Sequence, residues 1–91
     1  MKYQLDRSNS FKRSFKKRKL TDEEESNYIE VLYKLLNGEE LPRKYKDHSL
    51  KGNLRDYREC HIKPDLLLVY KINGDILELV DIGAHSYLFD K

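Results

Sequence analysis

Residues 2–7, Lys-Tyr-Gln-Leu-Asp-Arg, alternate polar and apolar, the two-residue period of a short half-buried strand. Ser8, Asn9 and Ser10 then offer N-caps. Phe11 and Phe15 follow four residues apart, with Lys12, Arg13, Lys16 and Lys17 around them, which predicts a short, basic, amphipathic helix. Thr21-Asp22-Glu23-Glu24 has the form of a capping box, and its carboxylates suit the positive end of a helix dipole. Tyr28, Val31, Leu32, Leu35 and Leu36 continue at helical spacing toward Asn37-Gly38, so a second helix spans this stretch.

Pro42 disfavours helix at Leu41, and the run from Leu41 to His48 reads as a loop that carries His48 toward a sheet. Three apolar segments follow at about 55–62, 66–72 and 76–82, divided by Lys63-Pro64-Asp65 and by Asn73-Gly74-Asp75, whose Asn-Gly pair is a strong hairpin signal. Leu66-Leu67-Leu68-Val69-Tyr70 is apolar on both alternating faces and belongs at the centre of the sheet. The predicted fold class is α+β: a short N-terminal strand and two helices packed on one face of a curved antiparallel sheet of about four strands. The other sheet face is left for a ligand.

At 91 residues the chain has room for a single domain, 1–91, with one thin core. No apolar run reaches the roughly 20 residues of a membrane-spanning helix, and the N-terminus lacks the apolar stretch of a signal peptide. A cytoplasmic protein with no membrane partner is therefore expected. The single cysteine, Cys60, cannot form an intramolecular disulfide and is expected to pack as a small buried hydrophobe. The net charge is only +2, but the signs are segregated: Arg7 and the cations from Lys12 to Lys19 precede the acidic run Asp22 to Glu25.

Candidate chemistry rests on three histidines. His48 enters from the loop, His61 ends a strand beside Lys63-Pro64-Asp65, and His85 follows the last strand, so all three can converge at one end of the sheet. Each alone is equally well a surface or structurally satisfied histidine. Together with a carboxylate they supply what metal-free RNA cleavage needs: a base for the 2′-hydroxyl, an acid for the leaving 5′-oxygen, and cations for the charge on phosphorus. The same histidines with Asp65 can be set against zinc binding, but the His-x-x-x-His or Cys-x-x-Cys spacings that make such sites specific are absent, so no metal and no other cofactor is expected. Arg43, Lys44, Lys46, Lys51 and Arg55 are candidate phosphate contacts, and Tyr45, Tyr57 and Phe89 candidate base-stacking rings; the plain alternative is a solvated basic face with ordinary aromatic packing. The basic first helix suits an acidic partner equally well. No glycine-rich phosphate loop or nucleophile elbow occurs.

The run from Leu41 through His48 to Gly52, the segment from Tyr57 through His61-Ile62-Lys63-Pro64-Asp65 to Lys71, and Gly83-Ala84-His85-Ser86-Tyr87-Leu88-Phe89 together resemble the YafQ-type toxins of the RelE/ParE superfamily. The resemblance implies a RelE-like fold and a ribosome-dependent messenger RNA endoribonuclease, the toxin of a type II toxin-antitoxin pair. It implies a cognate antitoxin, the ribosomal decoding site with its message, and promoter DNA reached through the antitoxin complex as partners. It implies His48, His61, Asp65 and His85 in proton transfer or substrate positioning, with Phe89 against a base. Two positions depart from the pattern. Leu66 stands where some members carry tryptophan, and Asp81 where some carry an arginine, so charge stabilisation passes to Arg58, Lys63, Lys46 or another cation, or Asp81 orients a histidine. The alternatives of another class are a ParE-like gyrase inhibitor or a catalytically silent toxin kept as a co-repressor. A free-standing ribonuclease independent of ribosomes is the third possibility.

Overall fold

The computed structural model describes residues 1–89. Strand β1 (Gln4–Arg7) leads to helices α1 (Asn9–Arg18) and α2 (Asp22–Leu36). A loop with a 3₁₀ turn at Arg43–Tyr45 and a two-residue strand β2 (His48–Ser49) follow, then a second 3₁₀ turn at Gly52–Leu54, β3 (Arg58–Lys63), β4 (Leu66–Asn73), β5 (Ile76–Gly83) and a short helix α3 (His85–Phe89).

Both main helices start where their caps predict. The Ser8 hydroxyl oxygen accepts from Phe11 N at 2.9 Å and donates to the Val80 carbonyl at 2.6 Å, so one side chain starts α1 and ties it to β5. At α2 the reciprocal capping box is complete: Glu24 N donates to Thr21 Oγ1 at 3.1 Å, and Thr21 N donates to Glu24 Oε1 at 2.9 Å. The Thr21 backbone bond, with help from Arg18, lowers the Glu24 carboxyl below its ordinary pKa. Gly38, at φ +73°, closes the helix by donating to Leu35 O at 3.0 Å.

The sheet has five strands in the order β1-β5-β4-β3-β2. The hairpins β3–β4 and β4–β5 are antiparallel as expected, but β1 runs parallel to β5, and a fifth strand, β2, adds the His48 segment to the edge of β3. Turn chemistry sets strand direction only across short connections, and β1 reaches β5 across two helices. The β4–β5 turn also lies one residue later than the Asn-Gly pair: Asn73 pairs with Ile76, leaving Gly74 and Asp75 as the two loop residues, with Gly74 at the φ of +63° that a primed turn needs first.

The helices cover one sheet face. Phe11, Tyr28, Val31 and Leu35 pack on Cys60, Ile62, Leu66, Leu68, Tyr70, Leu77, Leu79 and Ile82. Cys60 is fully buried here, as a small hydrophobe. The alternation of β3 and β4 sends Glu59, His61, Leu67 and Val69 to the opposite face, and Leu67 and Val69, although buried, lie outside the helix-side cluster. That second face carries the candidate residues His48 and His61. Among the described residues no helix is long and apolar enough to cross a membrane.

Candidate active site

Strand register builds the open face in two rows. His48 pairs with Glu59, Glu59 with Val69, and Val69 with Asp81; one step along, His61 pairs with Leu67 and Leu67 with Gly83. The chain turns into α3 just beyond Gly83, so His85 enters at the end of the row that starts at His61. Two strand spacings, roughly 10 Å of backbone, separate these ends.

His48 and His61 are neighbours, with ring centroids 6.3 Å apart. His48 Nδ1 lies 2.7 Å from the Lys46 carbonyl, which can only accept, so Nδ1 carries a proton. Its Nε2 lies 2.9 Å from Glu59 Oε2. The Glu59 side chain is only 9% exposed, and its Oε1 is buried without a hydrogen-bond partner. His61 Nδ1 donates to the Pro64 carbonyl at 3.3 Å, which turns Nε2 outward.

The loop carrying His48 is clamped from behind. Asp47 accepts from Tyr70 Oη at 2.5 Å and from Arg58 Nη2 at 3.1 Å, and Arg58 Nε donates to Tyr70 Oη at 3.3 Å. Asp47 raises the Arg58 pKa, and burial followed by the Asp47 bond raises that of Tyr70. The preceding turn is fixed by Tyr45, whose hydroxyl donates to Glu30 Oε1 at 2.6 Å on α2.

A cavity of about 340 Å³ opens beside His61, and Lys44, Lys46 and Lys63 are among its lining residues. Lys63 also pairs with Glu23 of α2. On the far side, His85 and Phe89 share a face of α3 with ring centroids 5.2 Å apart, and both are exposed. Asp65 stands exposed in the β3–β4 turn next to Pro64.

The structure therefore brings His48 and His61 together, sets Lys46 and Lys63 beside His61, and places His85 with Phe89 across the sheet. No hydrogen bond or ring pairing joins His85 to the other histidines among the described residues. Arg58 is not brought to this face: strand alternation turns it to the helix side, into the Asp47 clamp. Leu66 is fully buried in the helix-side core. Asp81 lies in the Glu59 row rather than beside a histidine, and its Oδ1 accepts from Ile82 N at 2.9 Å. Tyr45, fully occupied in the core, offers no face for stacking. No group of three or more His, Cys, Asp or Glu side chains among the described residues is placed to hold a metal ion.

Glu59 was not among the candidates the sequence suggested. The signal for it is a charged residue inside an otherwise buried strand, two positions before His61 and therefore on the same face.

The messenger RNA interferase toxin YafQ of Escherichia coli is 40% identical over 65 residues, covering 69% of this chain and 71% of that protein. A copper-bound mutant toxin from Helicobacter pylori superposes with a TM-score of 0.88 at 40% identity, covering 96% of this chain and 99% of the other. The toxin chain matched in the Escherichia coli DinJ-YafQ complex gives a TM-score of 0.83 at 29% identity, with 96% and 98% covered. Residues 3–90 match the family described as bacterial toxin of type II toxin-antitoxin system, YafQ, and with the fold and the histidine face in hand the chain belongs to that family.

Proposed function

We propose that the chain is a messenger RNA endoribonuclease that acts in the ribosomal decoding site and needs no metal. The observation that carries this reading is the open-face constellation of His48, Glu59 and His61, with His48 Nε2 at 2.9 Å from Glu59 and lysines 44, 46 and 63 beside His61.

The RNA supplies its own nucleophile. Its 2′-oxygen loses a proton to the enzyme and bonds to phosphorus; the phosphorus to 5′-oxygen bond breaks, and the leaving oxygen takes a proton. The products are a 2′,3′-cyclic phosphate and a free 5′-hydroxyl. In-line attack places base and acid on opposite sides of the phosphorus, so one comes from the His48–Glu59–His61 side and the other is His85 on α3. Lys44 and Lys46, with Lys63 once it leaves Glu23, neutralise the phosphorane in the role an arginine would fill at position 81. Phe89 stacks on the base beside the cleaved linkage. Asp65 positions the substrate from the turn.

The Escherichia coli relative occurs in a complex with DinJ. By likeness this chain pairs with a cognate antitoxin, through which it reaches promoter DNA, and which stabilises it by mass action.

The test is cleavage of a defined message on programmed ribosomes with naked RNA alongside, in the presence of a chelator. Wild type is expected to cut only on ribosomes and despite the chelator, while His61→Ala and His85→Ala do not cut. A folded wild type that leaves messages intact but blocks DNA supercoiling by gyrase would overturn the reading in favour of a binding module.

A further inference from the structure

A second cavity, about 320 Å³, lies behind α3, between that helix and the C-terminal turn of α1. Its lining includes Ser14, Lys17 and Arg18 of α1, Gly83 at the end of β5, and Tyr87. The catalytic scheme above uses none of these residues. We propose that this cavity is a nucleotide subsite for the RNA strand beyond the cleaved linkage, an inference that rests on the ribonuclease reading.

Position argues first. Tyr87 is two residues from both His85 and Phe89, and two residues turn a helix by about 200°, so the same short helix presents the candidate catalytic ring on one side and Tyr87 on the other. A strand that leaves Phe89 reaches Tyr87 by passing around this short helix.

Chemistry argues second. Tyr87 is 48% exposed, so ring surface is available for stacking, and its hydroxyl is fixed by a 3.1 Å hydrogen bond with Ser14 Oγ. The backbone is shaped to admit the ring: a Cβ on Gly83 would meet Tyr87 Cδ2 at 2.7 Å. Lys17 lies 5.8 Å from the ring centroid and forms no salt bridge among the described residues, whereas Arg18 is held by Glu24 at 3.1 Å. Lys17 is therefore the cation available to a phosphate. A fixed ring, a cation and two hydroxyls answer the base and the phosphate of a nucleotide separately. An acidic peptide would use the cation and leave the ring without a purpose. The volume is at the small end of ligand pockets, roughly 300 Å³ upward, which suits one nucleotide.

The experiment is fluorescence anisotropy of the full-length chain with a 2′-O-methyl hexanucleotide, which lacks the nucleophile and cannot be cut. Tyr87→Ala is expected to weaken binding at least about fivefold, the lower end for one lost base stack. Tyr87→Phe, which keeps the ring, loses only about two- to fivefold. Lys17→Ala is expected to flatten the plot of log K against log salt by about 0.7, one phosphate contact on a single strand. Lys17 is exposed, so its variant stays folded. Wild-type affinity and salt slope in both Tyr87→Ala and Lys17→Ala overturn the subsite. So does a poly-glutamate peptide that competes as well as RNA, which would assign the cavity to an acidic protein. Ribosomal cleavage by the same proteins separates the two readings. A wild type that never cuts, yet binds with the Tyr87 and Lys17 effects, keeps the subsite and removes the nuclease; normal cutting with no effect of either variant does the reverse.

Discussion

On the β2–β3 side of the site, three of the four imidazole nitrogens of His48 and His61 face protein partners: Lys46 O, Glu59 and Pro64 O. On the α3 side, His85 rests against the ring of Phe89 on a five-residue helix that is tied to α1, among the described residues, by a hydrogen bond between Tyr87 and Ser14 and by Lys17 over the Tyr87 ring. The first side is set before any substrate arrives. The second is held more lightly. Preorganised groups lower a barrier without reorganising at the moment of reaction, whereas a lightly held helix can adapt to whatever binds against it. The division predicts which changes will register as lost chemistry and which as lost stability.

The largest expected effect is on turnover, and it is equal on both sides. His61→Ala and His85→Ala are each expected to reduce cleavage on programmed ribosomes by about a hundredfold or more, the usual span for general acid-base groups. The thermal midpoints should separate them: His85→Ala leaves the midpoint unchanged, while His61→Ala, which frees the Pro64 carbonyl at the surface, lowers it slightly. A His85→Ala enzyme with near wild-type turnover would remove α3 from the chemistry and collapse the comparison.

Asp47→Ala tests the clamp behind the preorganised side. It strips Arg58 and Tyr70 of their shared acceptor, and orphaned part-buried donors cost about 1–3 kcal/mol. For a domain of this size each kcal/mol lowers the thermal midpoint by roughly 4–8 °C. Cleavage should fall along with it because the next residue is His48, while Asp47→Asn, which keeps an acceptor, recovers part of both. A variant that melts early but cuts at the wild-type rate below its midpoint would show that the clamp serves the fold and not the histidine.

Glu59→Gln sharpens the same side in the opposite sense. The wild-type carboxylate buries an oxygen without a partner, and a neutral amide of the same shape lessens that cost because the buried atom no longer shares a charge. The thermal midpoint is expected to hold or rise while cleavage drops about tenfold, roughly 1.4 kcal/mol, the signature of a group kept for function at the expense of stability. A fall in both would make Glu59 an ordinary structural partner of His48.

Much of this was legible in the sequence, and the parts that were not share a cause. Caps, helical spacing and the apolar strand Leu66 to Tyr70 are local signals, and the helices and three main strands stand where those signals put them. Direction and pairing of strands distant in sequence are not local, which is why β1 runs parallel and the His48 loop acquires a strand. The same distinction divides the site residues. His48 and His61 were visible as residue types, but the face each neighbour takes depends on register: one position turns Arg58 toward the core and Glu59 toward the histidines. Tyr45 reads as a candidate stacking ring because nothing in its own loop shows the helix that covers it, whereas the burial of Leu66 follows from the apolar run it begins.

Tyr45→Phe carries the smallest effect and asks whether the turn before His48 is held by its hydroxyl or by packing alone. Burial, and then the bond to Glu30, pushes the Tyr45 pKa up from an ordinary value near 10 to about 12. A pKa raised in the folded state contributes stability that is complete below the unfolded value and is lost as pH climbs through the folded one. Wild type should therefore lose stability between about pH 10 and 12, and Tyr45→Phe, which has no proton to give up, should lose less over that window. At neutral pH the variant gives up one hydrogen bond to a half-buried carboxylate that water can partly serve, about 1 kcal/mol. Matching alkaline melting curves for the two proteins would mean that other groups govern that window and that packing, not the Tyr45 hydroxyl, fixes the approach to His48.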